Sequence, residues 1–308
     1  MKMPLSHLKR VLIFCCITIF LTIKTHSQDS LSLQSPNGHI RFSLLVMANG
    51  QLSYTTTYQQ KEIIKQSALG IEGWKDKLSL QSVTSTKTDT TWKPVYGEKN
   101  LIHDHYNARL FSFWKNSNAK QCMQVEVRAY DEGLAFRYNF PEHPSGGSDI
   151  TITKDLTEFS LPEETKAWVT EHAQGMYQLL PLSNWRSEAE RPLTLELPNG
   201  IKVALAEARV VDYCRTKFVL HPSKANTITC SMYEKVELTT PFGTPWHVIM
   251  IADKETELLQ NNALILNLNA PCAIKNTDWI KPGKIMREMS LSTKGAKELI
   301  DFAVKRHL

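Results

Sequence analysis

The stretch that decides the fold is residues 123–140, MQVEVRAYDEGLAFRYNF. Apolar side chains fall at every second position, with Met123, Val125 and Val127 before Asp131-Glu132-Gly133 and Leu134, Phe136, Tyr138 and Phe140 after it. A period of two puts those side chains on one face of a strand, and the acidic turn closed by glycine folds the second strand back on the first. The reading is an antiparallel β-hairpin with one buried face. The pattern occurs twice more. Ile40, Phe42, Leu44 and Val46 lead through Asn49-Gly50 into Leu52, Tyr54, Thr56 and Tyr58, and Leu193, Leu195 and Leu197 lead through Pro198-Asn199-Gly200 into Ile201, Val203 and Leu205. Asn-Gly is the strongest short hairpin signal.

Between the hairpins lie further extended runs, at Ile150 to Leu161, Thr227 to Leu238, Trp246 to Ala252 and Leu264 to Leu268, and no helical period is legible before about residue 292. Many strands joined by tight turns over most of a chain of 308 residues predict a large antiparallel β-sandwich. The pattern changes after the turn Lys281 to Lys284. An extended segment, Ile285 to Leu291, is followed by Ser292 or Thr293 as N-cap and by Leu299, Ile300, Ala303 and Val304 on one helical face. Strand then helix is how a βα unit opens, and here no second strand follows. A lone helix of this length is marginal in water, so residues after about 285 are expected to be poorly ordered in isolation.

The first residues have a different character. MKMPLSHLKRVLIFCCITIFLTIKTHSQ carries Lys2, Lys9 and Arg10, then an apolar run from Val11 to Ile23, then small and polar residues. That run is too short to span a bilayer, which needs about 20 apolar residues, and it has the form of a secretory signal peptide cleaved near Ser27. Removal of residues 1–27 takes away Lys2, Lys9, Arg10 and Lys24 and no acidic residue, so 36 basic against 31 acidic residues becomes 32 against 31. A nearly neutral chain argues against nucleic acid or an anionic membrane as partner. Cys122, Cys214, Cys230 and Cys272 remain, without CxxC or finger-type His spacing, which argues against zinc. Free thiols are the base expectation. If the oxidising compartment does permit a bridge, Cys214 and Cys230 are the favoured pair.

The segments GEKNLIHDHYN, VRAYDEGLAFRYNFP, LTEFSLPEE, IKVALAEARVVDYC, FGTPWHVIMIAD, LILNLNAPCAI and DWIKPGK, in this order, resemble the N-terminal domain of glycoside hydrolase family 97, over about Leu31 to Leu308. The resemblance implies a β-supersandwich similar to galactose mutarotase, followed by a catalytic (β/α)8 barrel and a C-terminal β domain. It further implies calcium-dependent hydrolysis of α-glucosides or α-galactosides in the periplasm. The expected organisation is a signal peptide at 1–27, a supersandwich at 28–278, and at 279–308 a linker with the first strand and helix of an incomplete barrel. The oligomeric state stays open.

Hydrolysis of a glycoside needs two carboxyl groups about 5 to 5.5 Å apart for retention, or about 6.5 to 9.5 Å for inversion. In this family they belong to the barrel, so no catalytic residue is expected here and the chain alone is expected to be inactive. Where many members carry an acidic, Trp-rich stretch this chain reads IMREMSLST, which leaves the inverting or retaining subgroup open. The resemblance assigns one metal-site residue. The acidic-Ala motif in AEARVVDY places Glu207 where the sandwich domain contributes a carboxylate to the calcium site.

From the residues alone, Glu207 shares the strand parity of Ile201, Val203 and Leu205, a carboxylate on an otherwise apolar face. Such a group needs a cation or an arginine. The alternatives are an ion pair with a neighbour such as Arg209, or a bulge that turns it to solvent. One carboxylate does not hold Ca²⁺, which takes six to eight oxygens, so tight binding is not expected of this chain by itself.

Other features carry weaker signals. His103 and His105 would share one face of a strand and, with no third ligand evident, read as a polar surface. Trp74, Trp92, Trp114, Trp168, Trp185, Trp246 and Trp279 could be sugar platforms but read as core or domain-interface residues, Trp279 as interface. Asp301 falls on a polar helix face, and Asp131 and Glu132 suit a turn. The competing function is a stand-alone carbohydrate-binding sandwich that has shed its barrel. A mutarotase-like epimerase would need a His and Glu pair facing a sugar pocket, and the sequence identifies none.

Overall fold

The computed structural model describes residues 31–142, 146–185 and 188–307, so the expected signal peptide and its cleavage point lie outside the described residues. The chain divides into two compact units. One runs to Thr90 and from His103 to Asn269, and the other comprises Thr91–Ile102 with Ala270–Leu308.

The larger unit is built from antiparallel sheets, with strands numbered here in chain order. A seven-stranded sheet runs β1 (Ser32–Gln34), β2 (Ile40–Val46), β3 (Leu52–Tyr58), β4 (Lys61–Leu69), β10 (Glu158–Ser160), β16 (Thr227–Met232) and β15 (Thr216–Leu220). The second sheet has ten strands. It runs β12 (Gln178–Pro181), β11 (Lys166–Val169), β13 (Leu193–Glu196), β14 (Lys202–Ala208), β19 (Trp246–Ala252), β8 (Gly133–Phe140), β7 (Asn118–Tyr130), β6 (Ile102–Lys115) and β5 (Leu78–Trp92), with β18 (Phe242–Gly243) on β8. A short ribbon pairs β9 (Asp149–Ile152) with β17 (Val236–Thr239).

All three hairpins read from the sequence form. Tyr130 faces Gly133 across the two-residue turn and the ladder runs back to Gln124 and Asn139, while β2 pairs with β3 and β13 with β14. Gly50 at the β2–β3 turn has φ +77°, and a Cβ there would collide with the backbone of Leu78. At Gly133 an added Cβ would lie 2.5 Å from the carbonyl oxygen of Ile249. Only glycine lets these backbones approach so closely.

The two sheets face each other over one core. Phe42, Tyr54 and Phe159 from the smaller sheet meet Phe136 from the larger at ring-centroid distances of 6.4, 5.2 and 6.4 Å. The larger sheet is covered on its other face as well. Two short helices, α1 (Glu255–Gln260) and α2 (Ala263–Asn267), follow β19, and Leu264 and Leu268 pack with Tyr130, Ala206, Trp246 and Val248 in a second cluster. Every residue of β19 is therefore buried, which explains why WHVIMIA reads as a continuous apolar run. The expected extended run Leu264 to Leu268 is corrected by α2, since a run of five residues, four of them apolar, is too short to tell a helix from a strand.

In the smaller unit the predicted helix forms as α3 (Thr293–Lys305), with the Ser292 hydroxyl accepting from the Gly295 N–H at 3.0 Å. The strand expected over Ile285 to Leu291 does not form, and the start of a barrel is not seen. A strand exists only through a ladder with a neighbour. No residue of α3 is buried, and Ile300, Phe302 and Val304 are exposed. Among the described residues no helix is long and apolar enough to cross a membrane.

Candidate functional site

Parity places Glu207 as the sequence suggests. Val203 and Leu205 of β14 enter the core between the sheets, Ala204, Ala206 and Ala208 enter the second cluster, and the Glu207 side chain, 2% exposed, points with the first set. Its carboxylate pairs with the Arg191 guanidinium and accepts from the Thr216 hydroxyl at 2.6 Å, and Arg191 also donates to the Thr216 carbonyl. The arginine is thus Arg191, from the segment leading into β13, and not the neighbouring Arg209, which takes φ +56° at the end of β14.

Across the β14–β19 ladder Glu207 faces His247, which in turn faces Phe136. His247 is buried against the rings of Phe136, Tyr138 and Phe159, and its Nε2 lies 2.9 Å from Oδ2 of Asp155, a residue of the loop before β10. The other Asp155 oxygen accepts from the Thr157 N–H at 2.9 Å. Burial by itself would raise the Asp155 carboxyl, but the His247 charge and these hydrogen bonds hold it below the usual carboxylate range. The same pairing overcomes burial at His247 and raises its pKa. Cys230 of β16 lies beside them, and burial, with Asp155 and Glu207 nearby, pushes its thiol well above the ordinary value. Tyr138 closes the seam, its hydroxyl 2.7 Å from Thr157 Oγ1 and accepting from the Gly70 N–H at 2.7 Å.

A groove of about 990 Å³ opens on the seven-stranded sheet, lined by Ser53, Gln66, Glu158, His221, Lys224 and, at its base, Asp155 and Cys230 among others. Glu158 is held by Lys224 at 2.6 and 2.8 Å and lies 3.5 Å from His221 Nε2. This is the His and Glu pair that sequence reading did not find, because Glu158 on β10 and His221 just after β15 are 63 positions apart and their strands are joined only through β16, which pairs with both. The two groups pair with each other and do not flank a sugar-sized gap.

The remaining candidates fall as follows. His103 and His105 stack at 5.2 Å on β6, and Asp89 of β5 accepts from His103 at 2.7 Å and lies 3.9 Å from His105, an exposed trio. The hydrogen bond from His103 lowers the Asp89 carboxyl. Trp185 and Trp246 are buried, Trp74 packs on Phe140 at 5.1 Å, Trp168 donates to Glu196, and Trp279 is exposed. Asp301 is exposed on α3, while Asp131 accepts from the Asn37 N–H at 2.8 Å across the loop between β1 and β2. All four described cysteines are free thiols, and Cys230 faces Phe218 in the β15–β16 ladder.

Calcium can be tested against these residues. Glu207 already neutralises a guanidinium, Thr216 supplies donors to it, and among the described residues no second carboxylate is recorded against it, so the described residues do not make a six-to-eight-oxygen site.

Comparison with known proteins places this geometry. The family model described as Glycosyl-hydrolase 97 N-terminal matches residues 33–271. A retaining alpha-galactosidase of Bacteroides thetaiotaomicron is 20% identical over 89% of this chain and 46% of its own length. A Glycoside Hydrolase Family 97 enzyme of Pseudoalteromonas sp. strain K8, solved in complexes with panose and with acarbose, superposes with TM-score 0.78 at 27% identity, again over 89% of this chain and 46% of that one. A beta-arabinopyranosidase with TM-score 0.65 and 20% identity shares the fold. The chain spans about half the length of these relatives. By the extent of the family match and the agreement of its two-sheet architecture, the chain belongs to the glycosyl-hydrolase 97 family, as its N-terminal domain.

Proposed function

We propose that this domain is the supporting sandwich of an exported α-glycoside hydrolase of α-glucosidase or α-galactosidase type, and that it does not hydrolyse glycosides by itself. The observation that carries the reading is the match of residues 33–271 to an N-terminal domain model, with relatives that extend well beyond it. The state of the groove carboxylates supports it. Asp155 is committed to His247 and Glu158 to Lys224, so neither is free to act as acid or nucleophile. The substrate class, α-linked oligosaccharide, follows from the relatives' panose and acarbose complexes and alpha-galactosidase activity. Export to the periplasm, with cleavage near Ser27, rests on the basic and apolar composition of residues 1–27.

Glu207 is the residue we assign to calcium in the assembled enzyme, contributing one oxygen alongside carboxylates of a catalytic barrel. Arg191 and Thr216 fix the orientation of the Glu207 side chain. A free-standing carbohydrate-binding module is the second reading, favoured by the groove. The groove has no Phe, Tyr or Trp among its lining residues to stack a sugar ring, which places this reading behind the first.

The test is a chimera in which residues 28–308 replace the matching region of the Pseudoalteromonas enzyme. The chimera should hydrolyse α-glucosides in a calcium-dependent way, and Glu207→Gln in it should weaken the calcium dependence at least about tenfold. The isolated chain should show no turnover. Calcium-stimulated turnover by the isolated chain would overturn the reading.

A further inference from the structure

We propose that Asp155, Cys230 and His247 form a binding site for one transition-metal dication of the zinc type, entered from the groove on the seven-stranded sheet. The three residues come from the loop before β10, from β16 and from β19, and one donor atom from each lies within 4.8 Å of the others. Their exposures are 8, 9 and 3%, so the cluster is enclosed, and Asp155 and Cys230 both line the groove.

A tetrahedral ion with Zn–S of about 2.3 Å and Zn–N or Zn–O of about 2.0 Å separates its donors by roughly 3.3 to 3.5 Å. That spacing lies between the 2.9 Å joining Asp155 to His247 and the 4.8 Å that contains all three atoms. Reaching that spacing requires the donor separations to change by up to about 1.5 Å. The Thr157 N–H already fixes one Asp155 oxygen and leaves the other toward the cluster.

The exchange conserves the net charge of the site. When His247 is protonated, the metal-free site holds a carboxylate, an imidazolium and a thiol, which sum to zero. With metal it holds a dication, a carboxylate, a thiolate and a neutral imidazole, which also sum to zero. From that state one dication enters and two protons, from Cys230 Sγ and His247, leave to solvent, so the net charge of the enclosed site is unchanged. Sulfur, nitrogen and a single carboxylate suit zinc or cobalt. They do not suit calcium, so this site is independent of the role assigned to Glu207.

The mature full chain, stripped with chelator and titrated with Co²⁺, should develop a thiolate-to-cobalt charge-transfer band that saturates at one equivalent, is displaced by Zn²⁺ and is untouched by Ca²⁺. Cys230→Ser should abolish the band and weaken Zn²⁺ binding more than about 100-fold. Cys272→Ser, at an exposed thiol, and the double variant His103→Ala/His105→Ala, at the surface histidines, should leave both intact. Should Cys230→Ser fail to fold, X-ray absorption of the zinc-loaded wild type decides, with one sulfur among otherwise light donors expected. Absence of saturable binding, a zinc shell without sulfur, or a band that survives Cys230→Ser would overturn the proposal.

Discussion

Glu126 shows how the outer face of the large sheet handles charge. One of its oxygens accepts from Arg128 at 2.9 Å and the other from Arg137 at 2.7 Å and Asn139 at 3.1 Å, while both guanidiniums lie over the Trp246 ring. Burial raises the Glu126 carboxyl, but the two arginines outweigh it and hold the group below its ordinary value. A folded-state pKa depressed in this way adds stability that is present above the unfolded value and is lost as pH falls through the folded one. Wild type should therefore lose stability more steeply below about pH 4.5 than Glu126→Gln does, as urea midpoints at pH 6, 4.5 and 3 would show. At Glu207, Arg191→Met strands a buried carboxylate and should cost about 3 to 5 kcal/mol, while Arg191→Met/Glu207→Gln should recover most of it. Equal losses in the single and double variants would contradict the pairing. Period-two parity made the direction of Glu207 legible from the sequence. Its partner was not, because Arg191 reaches it through the fold and not along a strand.

At the scale of elements, the hairpins were legible because each combines alternating side chains with a turn that requires glycine or an acidic pair. Gly50→Ala should test that requirement. It meets both an unfavourable φ and the Leu78 backbone, so a loss of at least about 1 to 3 kcal/mol is expected in thermal unfolding, and a neutral result would count against the tight turn. Helices α1 and α2 were not legible, since six and five residues are too few for a 3.6-residue period to show and their apolar positions mimic a strand. The predicted helix α3 was legible through its cap and apolar face, but the strand before it was not realised. With no buried residue and with Ile285, Met289, Leu291 and Val304 exposed, residues 285–305 should be cut first in limited proteolysis, within a time that leaves the β-sheet domain intact.

At the scale of the whole molecule, the sequence specifies strands and hairpins but not which strands become neighbours. The order β4-β10-β16 joins partners about 67 to 95 residues apart, and the seam of Asp155, Arg191, Glu207, Thr216, Cys230 and His247 exists only after both sheets have closed. No local pattern encodes such pairings, which is why the polar interior stayed hidden while its apolar surroundings could be read. Phe136 is the residue through which that closure can be measured. It lies on β8 in the large sheet, fully buried, and touches Phe42, Tyr54 and Phe159 of the other sheet as well as His247. Phe136→Ala removes the ring that both sheets share and should cost about 3 to 5 kcal/mol. For a domain of this size that is a fall in Tm of roughly 10 °C. Phe140, equally buried at the far end of the same strand, packs instead on Trp74 and Phe242. Phe140→Ala should cost a similar amount yet leave the environment of Tyr54 unchanged in near-ultraviolet circular dichroism. If both substitutions perturbed that signal alike, the two sheets would not be joined through Phe136 as described.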